Sequence, residues 1–422
     1  MLKASALYLV IIISLVIAVL CSSLIVTAYF YRAEYQKKFR YDQLQNNLGS
    51  AINILLTSRD PVFKQEKTFS LFNQDNDSIS LQKTNWGIFD IGVAKAFIQK
   101  DTLYKVFTIA NTIDSSKWAA LYLMDEDRPL SISGKTTING TCYLPKAGVK
   151  AVYVDGKYFE GNDQNLINGT IRNSKKQLPE LFSKRLSKLL FSFKNGDGYN
   201  EDGVKADSLQ RSFLQPTLYL NFKKNVATLK DIKLSGNIVL RSDTTIILDS
   251  TVVLNHVLVF AKSISVGDGF QGNCQLFAKD SIEIGRNCRL NYPSALGVLR
   301  PDSGLDQVQP TIQLGENTVF NGLVFTSVNQ GKAVQATIKL KNKAFIFGQV
   351  YTAGNLFLNE HSKIQGSAFT GRFLFQNSYS LYENYIVNST IDSKSISSYY
   401  LTSDLMPVAS RRKKILQWLE GN

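Results

Sequence analysis

Histidine is almost absent from this chain: His256 and His361 are the only two in 422 residues. Neither has a second ligand type at metal-ligand spacing, which argues against a zinc or iron centre. Cysteine is sparse as well. Cys21, Cys142, Cys274 and Cys288 are too few for a disulfide-stapled framework. Cys274 and Cys288 fall in what read as neighbouring repeats, where a disulfide between them and a pair of stacked free thiols stand as equal alternatives. There is no Gly-x-Ser-x-Gly elbow, and no glycine loop between a strand and a helix to cradle phosphate. The basic and aromatic pattern of a nucleic-acid module is missing too. The acidic stretch from Asn195 to Gly203 lacks the alternating ligands of a calcium loop and reads as solvated. These absences leave no cofactor site and count against nucleotide and nucleic acid.

Acid is in deficit: 34 Asp and Glu face 48 Lys and Arg, a net charge of +14. Such an excess suits an anionic membrane surface or an acidic polymer. A solenoid that cleaves polysaccharide needs two or more carboxylates in one exposed groove. The candidates Asp243, Asp249, Asp268 and Asp280 mark the corners of successive repeats, where aspartate caps turns. The expectation is therefore a protein that is not an enzyme.

What the chain does have is repetition. The phrase Phe320-Asn321-Gly322-Leu323-Val324-Phe325-Thr326 returns as Ile346-Phe347-Gly348-Gln349-Val350-Tyr351-Thr352 and as Ile364-Gln365-Gly366-Ser367-Ala368-Phe369-Thr370. The last two copies begin at positions 346 and 364. A second phrase, Ile282-Glu283-Ile284-Gly285-Arg286-Asn287, returns as Ile312-Gln313-Leu314-Gly315-Glu316-Asn317. Short alternating apolar pairs, each followed by a Gly or Asn corner, suit a coiled parallel stack. A period of 18 divides into three faces, so the expected fold is a triangular β-solenoid with Ile364 and Phe369 pointing inward.

The N-terminus carries the single long apolar run. From Ala4 to Tyr31 no residue is charged, enough for a membrane-spanning helix. Tyr41, Leu44, Leu48, Ile52 and Leu55 keep helical spacing beyond it. Ser14, Ala18, Cys21 and Ser22 lie three or four apart on one face, where small residues let another membrane helix approach. Arg32, Lys37, Lys38 and Arg40 follow the run while Lys3 alone precedes it, so the charge bias favours a cytoplasmic body.

The chain thus reads as mainly β: a transmembrane anchor (1–31), a helical extension (32–57), a small antiparallel sheet (58–128), first solenoid coils (129–172), a helical and loop insertion (173–215), the main solenoid (216–392) and a tail (393–422). The insertion is an excursion from one continuous solenoid, its amphipathic helix opening at Leu178-Pro179-Glu180-Leu181-Phe182 and running to about Phe193. Gln74 to Asp77 has turn composition and leads into the sheet. Tyr379 to Val387 reads as an aromatic cap. Arg411 to Leu419 reads as a short basic amphipathic helix suited to an anionic membrane or a partner.

With the repeats Ile346-x-Gly348-x-Val350 and Ile364-x-Gly366-x-Ala368, the C-terminal half resembles bactofilins, bacterial cytoskeletal proteins whose triangular β-solenoids polymerise end to end. The chain departs from them in its anchor, inserted helix and aromatic cap. The front end, an apolar helix running into a soluble helix and a small sheet, is similar to type IV pilins or minor pseudopilins. It lacks their Gly-Phe cleavage site and early Glu. That pilin likeness implies export, against the charge bias. Together the resemblances imply a structural or assembly component of the bacterial envelope, anchored in the inner membrane with its body on the periplasmic or extracellular side. Protein partners or further copies would meet it through the membrane helix. The other class is an exported solenoid that binds or cleaves polysaccharide.

Overall fold

The computed structural model describes residues 2–58, 61–73, 77–193, 198–204, 206–222, 226–300, 308–328 and 334–421. The turn at 74–76 and the loop residues 195–197 lie outside them. The chain divides into two compact units, one formed by Met1–Thr84, Gly92–Phe107 and Gln417–Asn422, the other by Asn85–Ile91 and Thr108–Leu416. It is mainly β, with one long N-terminal helix, a small antiparallel sheet and a large parallel sheet system.

Helix α1 (Leu2–Thr57) is unbroken. No proline interrupts it. Leu44, Leu48, Ala51 and Leu55 recur at three- and four-residue spacing and are buried, so only the last turns pack into the first unit. Lys83 donates to the carbonyls of Leu55 and Ser58, ending the helix.

Strands β1 (Lys67–Ser70), β2 (Ser78–Trp86), β3 (Phe89–Ile98) and β4 (Asp101–Ile113) are neighbours in a six-stranded sheet, joined by Leu401–Thr402 and by Ala409–Gly421 along β4. The basic segment Arg411–Leu419 is therefore a strand and not a helix. A strand as long as β4 needs a partner along its edge. Asn111 Nδ2 donates to the Ser410 carbonyl at 2.7 Å and the Thr112 and Ser410 hydroxyls lie 2.6 Å apart, contacts between segments so distant in sequence that no local pattern reveals them.

In the second unit three parallel ladders run side by side. The first pairs Leu218–Phe222 with Ile238–Ser242, then with Leu258–Phe260, and continues through Gly348–Thr352 against Gly366–Thr370. The second takes Phe345 to Lys363 and then to Thr390. The third takes Thr245 to Ser263, Ser281 and Thr311. Partners such as Ser263 and Ser281 keep the step that the repeats require. Inward positions, among them Val259, Leu276, Val324, Val350, Ile364 and Ala368, form one continuous core.

The corners use both expected residue types, at different positions. Two places before six of the second-ladder strands stands a left-handed residue that is not glycine: Asp231, Asn287, Asn317, Lys343, His361 and Asn388 have φ between 50° and 59°, while Gly269, with φ of 80°, holds the same place before Gln271. Asn and Asp tolerate this region through local hydrogen bonding. Glycine occupies the next corner instead. Gly348 and Gly366 have φ of 143° and 147°, and a Cβ on either would run into the carbonyl oxygen of the glycine stacked below.

The order of coils in space is not their order in sequence. Leu121–Leu123 pairs parallel with Ala368–Thr370, Cys142 follows Leu121, and Ile171–Asn173 follows Cys142–Leu144. Thr137–Asn139 likewise stacks on Thr390–Asp392. The coils from 121 to 173 thus sit beyond the C-terminal end of the main stack, not ahead of its start. The stack begins at Tyr199–Asp202, which pairs with Leu218–Asn221. The described residues 174–193 therefore run back along the stack and are not a side excursion. The stack also claims Leu121–Leu123 from the region assigned to the small sheet, and Tyr199–Arg211 from the insertion.

The crossing has a track. Tyr122, Phe369 and Tyr351, then Phe325, Phe277 and Phe260, present rings on the outside of the first ladder, several of them stacked. The Lys175 amide donates to the Tyr122 hydroxyl, the Tyr351 hydroxyl donates to the Pro179 carbonyl, and Phe193 meets Phe260 edge-on. Phe369 is accordingly buried on the outer side, beneath the strap, while Ile364 points inward as expected. Near the aromatic cap, Leu381–Glu383 turns antiparallel onto Leu374–Gln376 and closes the third ladder at that end.

Candidate functional site: an exposed apolar helix and the open ends of a ladder

Helix α2 (Ser183–Ser192) lies in the strap and holds the most elaborate polar cluster of the second unit. The Arg185 side chain is 3% exposed. Its Nε and Nη2 donate to the two carboxylate oxygens of Asp404 at 2.6 and 2.8 Å, and Nη2 lies 2.9 Å from Asp90. Nη1 donates to Asn85 Oδ1 and, at 2.9 Å, to the Phe89 carbonyl. Burial alone would favour losing the proton, but Asp90 and Asp404 outweigh it and hold the guanidinium above its ordinary value. Lys413 stands 3.6 Å from Asp90. Every donor is occupied, so the cluster is a lock on the strap with nothing left over for a substrate.

The other residues singled out in the sequence are dispersed. His256 and His361 are both corner residues with φ of 59°, and burial pushes His256 down. Asp249 accepts from the Thr251 amide and hydroxyl, and Asp268 accepts from the Arg286 amide at 2.7 Å. Asp280 is paired with Arg300 at 2.6 Å, and Asp243 is exposed. Asp249 caps its own corner, while Asp268 and Asp280 are taken up by arginines of a neighbouring coil. Among the described residues no group of three His, Cys, Asp or Glu is placed to hold a metal. Cys142, Cys274 and Cys288 are buried free thiols, so the alternative of a Cys274–Cys288 disulfide is not realised. Cys274 precedes a first-ladder strand and Cys288 a second-ladder strand, on different faces.

Two surfaces remain without an internal function. The first is α1, where residues 6 to 39 are exposed and the span is long and apolar enough to cross a membrane. Ser14, Ala18, Cys21 and Ser22 are all exposed on it. The Ser14 and Ser22 hydroxyls donate to the Ile11 and Ala18 carbonyls at 2.8 Å, which satisfies them within the helix and leaves a smooth small-residue face. The second surface is the pair of ends of the first ladder. Ile171–Asn173 is exposed throughout, and Tyr199–Asp202 nearly so. Both are edge strands of the same column, pointing the same way, and each turns one unpaired side outward.

Sequence reasoning missed the strap's track and the lock. The track had a signal: an aromatic recurs before the final Thr or Ala of each repeat, at Phe260, Phe277, Phe325, Tyr351 and Phe369, where a solvent-facing position would be polar. Nothing marked Arg185, one of several basic residues on an amphipathic helix. No protein-family model, curated protein or solved structure matches the chain.

Proposed function

We propose that this protein is a membrane-anchored structural subunit of the bacterial envelope. In this reading α1 holds it in the bilayer, its body is a triangular β-solenoid, and copies associate through the solenoid ends. One observation carries it: the first ladder begins and finishes in exposed parallel edges belonging to a single column. Translation of one copy along the axis would lay Ile171–Asn173 against Tyr199–Asp202 of the next, with parallel direction kept. Arg172, which shares the outer side with Tyr143, would then meet Asn200 or the acidic Asp202. The three parallel ladders, with inward residues that form one core, support the solenoid geometry. The likenesses to bactofilins and to pilins or pseudopilins support the setting.

A chain carrying Arg172→Cys and Asn200→Cys, with Cys21→Ser, tests this in membranes. A short bifunctional maleimide should give a ladder of multimers that needs both new cysteines. Monomer alone would refute association through the ends. Protease access to the body in intact and osmotically opened cells fixes its side of the membrane. The polysaccharide-binding reading has its own support in the third ladder, where Thr245, Ser263, Ser281 and Thr311 align outward as a row of hydroxyls. Retention on purified cell-wall glycan by a chain that forms no multimers would favour it.

A further inference from the structure

Helix α1 does not pass directly from apolar span to packed helix. Its uncharged stretch ends at Tyr31, and the first buried side chain of the unit is Leu44. The helix between them covers about 20 Å. It carries Arg32, Lys37, Lys38 and Arg40 against Glu34 and Asp42. It also carries exposed rings: Tyr31 at 78%, Tyr35 at 65% and Phe39 at 56%, preceded by Tyr29 and Phe30. Tyr31, Tyr35 and Phe39 follow one another at four-residue spacing and so form a stripe, with Arg32 and Lys38 three residues to either side of Tyr35. Measured from Leu44, that stripe lies on the far side of the helix from the packed residues. Arg40 is engaged with Asp101 at 3.2 Å, which leaves Arg32, Lys37 and Lys38 as the exposed cations of the collar.

Tyrosine rings with one polar edge, beside the apolar Phe30 and Phe39 and interleaved with long-stemmed cations, match the chemistry of the headgroup layer. We infer that this collar binds anionic phospholipid headgroups in the leaflet adjoining the body. The inference rests on α1 spanning the bilayer. The headgroup layer is about 5–8 Å deep on each side, so with the hydrocarbon edge set where the uncharged run ends, at Tyr31, Tyr35 about 6 Å further on falls within it. Lys37 and Lys38 start a few ångströms higher and reach back along their own stems. Positive charge close to an anionic leaflet strengthens attachment several-fold per residue and weakens with salt. A neutral, zwitterionic leaflet offers the rings the same layer but gives the cations no net charge to meet.

The full chain is placed in nanodiscs of mixed phosphatidylcholine and phosphatidylglycerol, extracted in mild detergent, and its retained lipid analysed by native mass spectrometry. Phosphatidylglycerol should be enriched several-fold over its share of the disc, and less so at high salt. The variant Arg32→Gln/Lys37→Gln/Lys38→Gln should insert equally well, unfold at the same denaturant concentration and lose the enrichment. Retained lipid at the bulk ratio, or equal enrichment by the variant, overturns the collar while leaving the span intact. A natural chain that fails to enter discs of either lipid overturns the span and the collar together.

Discussion

The Arg185 lock makes a quantitative demand on the strap. Arg185→Met keeps the stem and removes the guanidinium, leaving the Asp404 and Asp90 carboxylates without the donors they face in the fold. Removing one partner of a buried ion pair costs about 3–5 kcal/mol, because the survivor stays charged in a poor solvent. The Asp90 and Asp404 side chains keep 12% and 22% exposure, so water relieves part of that penalty. Lys413 also remains 3.6 Å from Asp90. The expected loss is therefore at the low end, about 3 kcal/mol. Arg185→Lys retains charge but loses the two-pronged contact with Asp404 and the donors to Asn85 and Phe89, and should cost about half as much. Hydrogen exchange of the peptide covering 176–193, with urea unfolding of the full chain in detergent, reads both quantities. Protection of the strap should fall before that of the first-ladder strands. A double-mutant cycle with Asp404→Asn should give a coupling of about 1–3 kcal/mol. Unchanged strap protection and a loss below about 1 kcal/mol in Arg185→Met would refute the lock.

Other consequences are as specific. Gly348→Val should destabilise the chain by more than about 3 kcal/mol, since φ of 143° is closed to a β-branched residue and its Cβ meets the Gly322 carbonyl; a soluble variant with an unchanged urea midpoint would contradict this corner. Burial pushes the Cys142 and Cys274 thiols up to about 12, so alkylation of native protein at neutral pH should leave both unmodified, and denaturant should expose them. Glu66 is held below its usual range by the Ser80 hydroxyl and by Lys95, and Glu360 by Lys157. Because their folded values are depressed, the stability they contribute is present above the unfolded carboxylate range and lost as pH falls below about 4. Glu66→Gln should flatten part of that acid limb in urea titrations against pH.

The repeats were legible because they are local. An inward Ile or Val, a corner residue and a fixed step are written within any single repeat, and Ile364 could be placed inside from its phrase alone. The helix α1 was legible for the same reason, since an uncharged run and a spacing of Leu44, Leu48 and Leu55 need no distant partner. Phe369 was misplaced by the same local reading. Beside an inward Ala368, a bulky apolar residue looks like core until the strap that covers it is known. The strand Ala409–Gly421 failed likewise, because its partner β4 lies far back in the chain and a short basic run is equally compatible with helix and strand.

Stack order is the deepest case. Each coil presents nearly the same apolar face to the coil above and below, so the sequence says that coils stack without saying which neighbour each one takes. The specification lies in unique contacts between particular coils. Arg372 reaches Glu126 at 2.5 Å and also faces Glu383, which pairs with Arg128, so four charges from segments far apart in sequence meet where coil 121–123 joins coil 363–376. Within the same junction Ser367 donates to the Ala119 carbonyl at 2.6 Å. A misplaced coil would leave these groups unmatched, and the fully buried Ser367 hydroxyl would cost most, because the ion pairs keep access to water and are individually weak. The strap follows as a consequence of that order. Once the early coils belong at the far end, the chain must travel back along the whole stack, and the outward aromatics of the first ladder supply a surface worth covering on the way.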